Sequence, residues 1–192
     1  MPDTLYLPTR LCPPPAYYKM MLEWDGPVEI CGGERCDKRC KSAHRFTIAD
    51  TRGPLDLTVP VEKPLGRTWA TTRVSLHGRW WEVMREALAS AYGRTPYFEF
   101  LADDFLAPIS DPEAFTTVAD LNAQFDRAIR RVLGITKEVT YTTEPRRPVA
   151  IEPFEPQPYW QVRQHQLGFI PGLSILDLIF NLGPEASLAL KK

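Results

Sequence analysis

The chain has 192 residues, 44% apolar and 24% charged, with a formal net charge of −1. That suits one ordinary domain with one good core, and the balanced charge excludes the basic field of a nucleic-acid binder. No apolar run approaches the roughly 20 residues of a membrane span, and MPDTLYLPTR lacks the basic and apolar regions of a secretory signal, so a cytoplasmic protein is expected.

Leu5–Leu7 is a short apolar run stopped by Pro8 and predicts a first strand. Arg10 to Pro15, RLCPPP, is a stiff extended loop whose prolines offer no ladder donors. Ala16 to Trp24, AYYKMMLEW, has helical period, with Tyr17, Met20, Met21 and Trp24 on one side. Asp25-Gly26 ends it, and Val28–Ile30 predicts a second strand. Strand, loop, helix and strand in this order outline a βαβ unit with parallel strands. The Pro-rich loop then lies at the carboxyl end of the first strand, where open α/β sheets place ligands.

Gly32 to Lys41 reads as a charged, Cys-rich loop. Arg45–Ala49 and Leu55–Val61 flank Thr51-Arg52-Gly53-Pro54 and predict a hairpin, with Pro60 marking an edge or a strand end. Val74–Leu76 predicts a further short strand. WWEVMREALASAY, Trp80 to Tyr92, is helical, with Trp80, Val83, Met84, Ala87, Leu88 and Ala91 in one stripe. Tyr97–Phe105 predicts another helix. A further helix over 118–133 faces Leu121, Phe125, Ile129, Val132 and Leu133 inward and stops at Gly134. Val139–Thr142 predicts a strand. Thr143–Pro158 is Pro- and charge-rich, and a loop that long is functional or disordered. The expected fold class is α/β (or α+β), one domain over 1–192. A mixed sheet joins the N-terminal βαβ-like unit to the antiparallel hairpin, and several helices cover it.

The last stretch, GFIPGLSILDLIFNLGPEASLAL, reads as a turn, a short apolar helix, a stop at Gly183-Pro184 and a final helical turn. Ser174 stands at the N-cap with Asp177 three residues on, the spacing of a capping box. Asp177 and Asn181 are four apart and share a face of this otherwise apolar helix. A cap explains Asp177 but not Asn181, so either Asn181 is a satisfied core amide or both groups point into a polar pocket.

Cys31, Cys36, Cys40 and His44 follow C-x4-C-x3-C-x3-H. Four such ligands could enclose zinc, but the spacing matches no familiar zinc module, and free thiols more often pack as small hydrophobes. No metal or other cofactor is therefore assigned, with zinc at these four residues as the alternative. Cys12 lies in the Pro-rich loop without a Cys-His signature around it.

GFIPGLSILDLIFNLGPEA resembles the C-terminal signature of the WbqC-like protein family. LYLPTRLCPPPAYYKMML, VPVEKP at Val59–Pro64 and the aromatic stretches at Trp80-Trp81 and Tyr97-Phe98 also resemble it. The family is associated with bacterial O-antigen and other surface-polysaccharide loci. The resemblance implies a transferase moving an aminoacyl group, such as glycyl, or another acyl group onto a sugar or activated precursor. The alternatives are a non-catalytic binding or assembly subunit of a biosynthetic cluster and a small zinc-stabilised module. Partners would be a small-molecule or carrier-bound donor and a sugar-type acceptor, with a homo-oligomer allowed. The family shows a Lys and an Asn-Arg pair where this chain has Lys38 and His44-Arg45, so Arg45 matches and His44 departs. Lys38 and Arg45 are expected to hold an anionic donor, with Tyr18 and Asn181 as further binding residues. His44, Tyr17 and Asp177 are the expected catalytic groups, His44 having an unperturbed pKa near 6.5.

Overall fold

Pro8 ends the first strand because it brings no N–H to a ladder. The computed structural model describes residues 3–37, 40–63, 66–111 and 113–191. In it strand β1 is Leu5–Pro8, helix α1 is Pro15–Glu23 and strand β2 is Val28–Cys31. β1 and β2 run parallel, from Leu5 opposite Val28 to Pro8 opposite Cys31, as the βαβ pattern predicts. Strand β5, Val139–Thr142, pairs parallel on the other side of β2, with Cys31 opposite Thr142. Pro8, Cys31 and Thr142 therefore end in register. The three loops that follow them leave from one edge of the sheet.

Strands β3, Arg45–Asp50, and β4, Gly53–Thr58, form the predicted hairpin about Thr51-Arg52. The expectation of one mixed sheet is corrected here. The hairpin is a sheet of its own, beside the parallel order β1-β2-β5. Two observations account for this. The outer side of β1 is occupied by Val149, whose N–H donates to the Tyr6 carbonyl at 2.8 Å. The hairpin buries Phe46, Ile48 and Leu57, with β3 against two helices, α2 (Trp80–Tyr92) and α6 (Ile175–Leu182). β4 stops two residues before Pro60, and Val74 makes only an isolated bridge with Val61 in place of a strand.

Helix α3, Phe98–Leu106, and helix α4, Val118–Val132, stand close to their predicted spans. Val83 is an exception to the α2 stripe, being 62% exposed. α4 begins with a capping box between Thr117 and Asp120, a device worth about 1 kcal/mol. The chain ends with α5 (Gln164–Leu167), α6 and α7 (Ala186–Ala189).

α6 is the centre of the core, with every residue from Ile175 to Asn181 buried. The Phe180 ring meets Tyr92, Phe98 and Phe105 at centroid distances of 5.2, 5.0 and 5.4 Å. Ser174 is the N-cap as predicted, its Oγ accepting from the Leu176 N–H at 3.2 Å and donating to the Cys12 carbonyl at 2.8 Å. The Ile175 N–H donates to the Pro13 carbonyl. Helix α6 thus fixes the Pro-rich loop after β1. The capping-box reading of Asp177 is corrected. The Ser174 N–H that Asp177 would have answered donates instead to the Thr47 carbonyl at 2.9 Å.

Candidate functional site

The loops after β1, β2 and β5 converge because their strands end in register. The loop after β2 carries Glu34, Arg35 and Cys36, and its edge is held by Gly66 to Ala70. The Cys36 N–H donates to the Arg67 carbonyl, the Ala70 N–H donates to the Gly32 carbonyl, and Arg35 bridges Thr68. The loop after β5 turns back across the sheet to Val149 beside β1. At Gly33 the two loops nearly touch: a Cβ there would lie 2.2 Å from the Glu144 carbonyl oxygen and 2.3 Å from that of Thr143. Only glycine permits that approach.

Between these segments lies a cleft of about 1040 Å³, walled by Gly33–Cys36, Gly66–Thr68 and Pro145–Pro148. A second lobe of about 690 Å³ adjoins it, sharing Glu34, Arg147 and Pro148 and adding Pro8, Arg10, Val149 and Ala150. Among the described residues the walls of the two lobes hold five arginines, Arg10, Arg35, Arg67, Arg146 and Arg147, and one carboxylate, Glu34. Arg10 pairs with Glu34 at 2.6 Å. Arg146 stands 3.7 Å from Glu29 and over the Tyr6 ring. Burial pushes the Glu34 carboxyl up, while the Arg10 guanidinium and hydrogen bonds from Arg10 and the Thr9 N–H oppose the rise. Burial also raises the Cys36 thiol, against a hydrogen bond with Thr72. Cys36 is therefore held as a thiol and is a poor nucleophile.

The residues singled out from sequence stand elsewhere. Lys38 lies outside the described residues. Arg45 is engaged on the hairpin, its Nε donating to Thr58 Oγ1 at 2.8 Å and its guanidinium paired with Asp56 at 3.1 Å. His44 is half-buried against Trp69, with Nδ1 2.9 Å from the Val59 carbonyl. Burial lowers its pKa, with Lys41 and Arg45 adding to the effect. Tyr17 donates to the Pro8 carbonyl at 3.0 Å and Tyr18 to Asp126 at 3.1 Å. Burial raises both phenols, and the Asp126 charge adds to that rise. Tyr17 thus braces the end of β1 beneath the cleft. Tyr18 joins a buried set in which Asp126 also receives Tyr141 at 2.6 Å and Arg130 at 2.8 Å.

Asp177 and Asn181 form a third place. The Asp177 carboxylate accepts from Tyr159 at 2.5 Å and Gln161 at 2.9 Å. Burial raises its pKa, while hydrogen bonds from Tyr159, Gln161 and Tyr92 oppose the rise. Asn181 donates to the Asp177 carbonyl at 2.7 Å, and its buried Oδ1 has no donor among the described protein groups. His44, Tyr17 and Asp177 make no hydrogen bond to one another: His44 Nδ1 meets the Val59 carbonyl, Tyr17 the Pro8 carbonyl, and Asp177 Tyr159 and Gln161. Cys31, Cys36, Cys40 and His44 do not gather either: among the described residues, no group of three His, Cys, Asp or Glu side chains is placed to hold a metal ion.

The arginines are what sequence reasoning missed. Their local signals were the charged, Cys-rich loop at 32–41, which holds Arg35, and the charged, Pro-rich run at 143–158. Arg10 lies in the loop already expected to face a ligand.

Fold and cleft define an α+β protein with an arginine-lined cleft at the carboxyl ends of a parallel sheet. The WbqC-like family model matches residues 11–150, well over half of the chain, and the protein belongs to the WbqC-like protein family. The matched span contains all of the cleft except Pro8 and Arg10, and it ends before Gly168–Leu190. No curated protein and no solved structure matches the chain. No helix among the described residues is long and apolar enough to cross a membrane.

Proposed function

We propose that the protein is a cytoplasmic transferase of surface-polysaccharide or related biosynthesis. It moves an aminoacyl or other acyl group from an anionic donor to a sugar-type acceptor. The observation that carries this reading is the cleft whose described walls hold five arginines and one carboxylate, at the sheet edge where α/β folds bind ligands. Arginine forks suit phosphate and carboxylate oxygens. The reaction class is the one the resemblance to the WbqC-like family implies.

In this reading the acceptor amine or hydroxyl attacks the acyl carbonyl carbon. A C–N or C–O bond forms, the bond to the donor's leaving group breaks, and that group departs with the electron pair. The proton released by the acceptor passes to Glu34, the one carboxylate among the described residues lining the cleft. With Cys36 held protonated, direct transfer is favoured over a covalent thioester enzyme.

The test is a transfer assay with acyl and aminoacyl thioester donors and nucleotide-linked amino sugars, read by mass spectrometry. A sugar product heavier by the acyl mass, lost in Arg67→Ala/Arg147→Ala, supports the proposal. Binding of donors without any transfer would place the protein among non-catalytic assembly subunits instead.

A further inference from the structure

The chemistry of the anion can be read more closely. Arg35, Arg67 and Arg147 come from three different walls of one cleft. None of the three has a side-chain hydrogen bond or ion pair among the described residues, whereas Arg10 and Arg146 have Glu34 and Glu29. Three guanidiniums lining one cleft repel one another, and a single carboxylate would leave two charges unanswered. An anion of two or three charges, with oxygens on several sides, answers all three at once, each through a two-pronged fork.

The size of the site adds a second constraint. At about 1040 Å³ the main lobe is at the upper end of small-molecule sites. It exceeds what a lone phosphate fills. The adjoining lobe presents Pro148, Val149 and Ala150 for a less polar part of the ligand.

We infer that the cleft binds the pyrophosphate of a larger substrate, across Arg35, Arg67 and Arg147. This rests on the reading of the cleft as the substrate site of the proposed transfer, with the thioester as donor and the nucleotide sugar as acceptor. Two sources share the chemistry: a nucleoside-diphosphate sugar, and a pantetheine thioester carrying an adenosine diphosphate, such as acetyl-coenzyme A.

Calorimetry on the full chain tests the inference, with coenzyme A and a uridine-diphosphate amino sugar as probes. The corresponding monophosphates and acetate serve as comparators. Arg35→Ala, Arg67→Ala and Arg147→Ala alter exposed side chains, so the fold should tolerate them. Arg52→Ala, in the hairpin turn, is the control.

At least one pyrophosphate compound should bind about tenfold or more tightly than its monophosphate. Each cleft variant should weaken it by about tenfold, as loss of one charge-assisted contact does, with Arg52→Ala unchanged. Binding of coenzyme A alone identifies the thioester source, and binding of the nucleotide sugar alone identifies the other. Equal binding of pyrophosphate and monophosphate, or variants that bind as wild type, overturns the inference. Arginine-dependent acetate binding with no pyrophosphate advantage removes the pyrophosphate and leaves the anionic-donor reading standing. Absence of arginine-dependent binding by any probe removes both.

Discussion

Replacing Asp177 separates its network from a helix cap. Its carboxylate accepts from Tyr159 and Gln161 and is hydrogen-bonded by Tyr92. In Asp177→Leu the phenolic hydrogens of Tyr159 and Tyr92 lose their acceptor. Gln161 keeps its bonds with Ile170 at 3.0 and 2.9 Å. Two stranded buried donors cost about 2–6 kcal/mol together, and the new apolar side chain returns about 1.5–3. A net loss of about 2 kcal/mol lowers Tm by about 4–8 °C in a chain of this size. Asp177→Asn keeps an acceptor oxygen for Tyr159 and Gln161, and should cost about 1 kcal/mol or less. The native carboxyl is raised, so the folded state holds its proton to higher pH than the unfolded state. The contribution to stability is therefore present below the ordinary carboxylate range and is lost as pH rises through the raised value. Asp177→Asn removes that dependence. Thermal melts from pH 3 to 8 are the assay. An Asp177→Leu variant melting within about 2 °C of wild type, or an Asp177→Asn variant with the wild-type pH slope, would refute the network.

Three further predictions follow from the geometry. Glu34→Gln should slow transfer by about 100-fold or more while donor affinity changes much less. Because burial raises the Glu34 carboxyl, wild-type transfer should rise with pH above the ordinary carboxylate range, and the variant should not; steady-state rates across pH show this. Gly33→Ala drives a Cβ into the Thr143 and Glu144 carbonyl oxygens and should cost about 1–3 kcal/mol and loosen donor binding, measured by melts and calorimetry. Asn181→Leu removes a buried carbonyl oxygen that has no donor among the described protein groups, so Tm should hold or rise with cleft binding unchanged; a loss of binding would return Asn181 to the site.

Local pattern carried much of the fold. The Pro8 stop, the period of Tyr17, Met20, Met21 and Trp24, and the run Val28–Ile30 were enough for β1, α1 and β2. The same was true of the hairpin, α2, α4 and the Ser174 cap. Pairing between elements far apart in sequence was not readable in this way. Nothing local says that Val139–Thr142 joins β2 while Val149 takes the outer side of β1, and those two facts keep the hairpin in its own sheet. The cleft was hidden for the same reason. Arg10, Arg35, Arg67 and Arg147 are scattered; the common ending of Pro8, Cys31 and Thr142 brings three of their segments together, and the bonds of Arg67 and Ala70 to the loop after β2 add the fourth. Asp177 misled because a capping box and a buried acceptor share its spacing from Ser174, and its true donors, Tyr159 and Gln161, lie upstream on an irregular loop.

Hydrogen exchange with and without saturating acetyl-coenzyme A or nucleotide sugar locates the ligand on the chain. Binding in the arginine cleft predicts new protection in 32–37, 66–70 and 143–150, with 159–182 unchanged. Protection confined to 159–182 or to the 45–58 hairpin would contradict the assignment of function to the cleft.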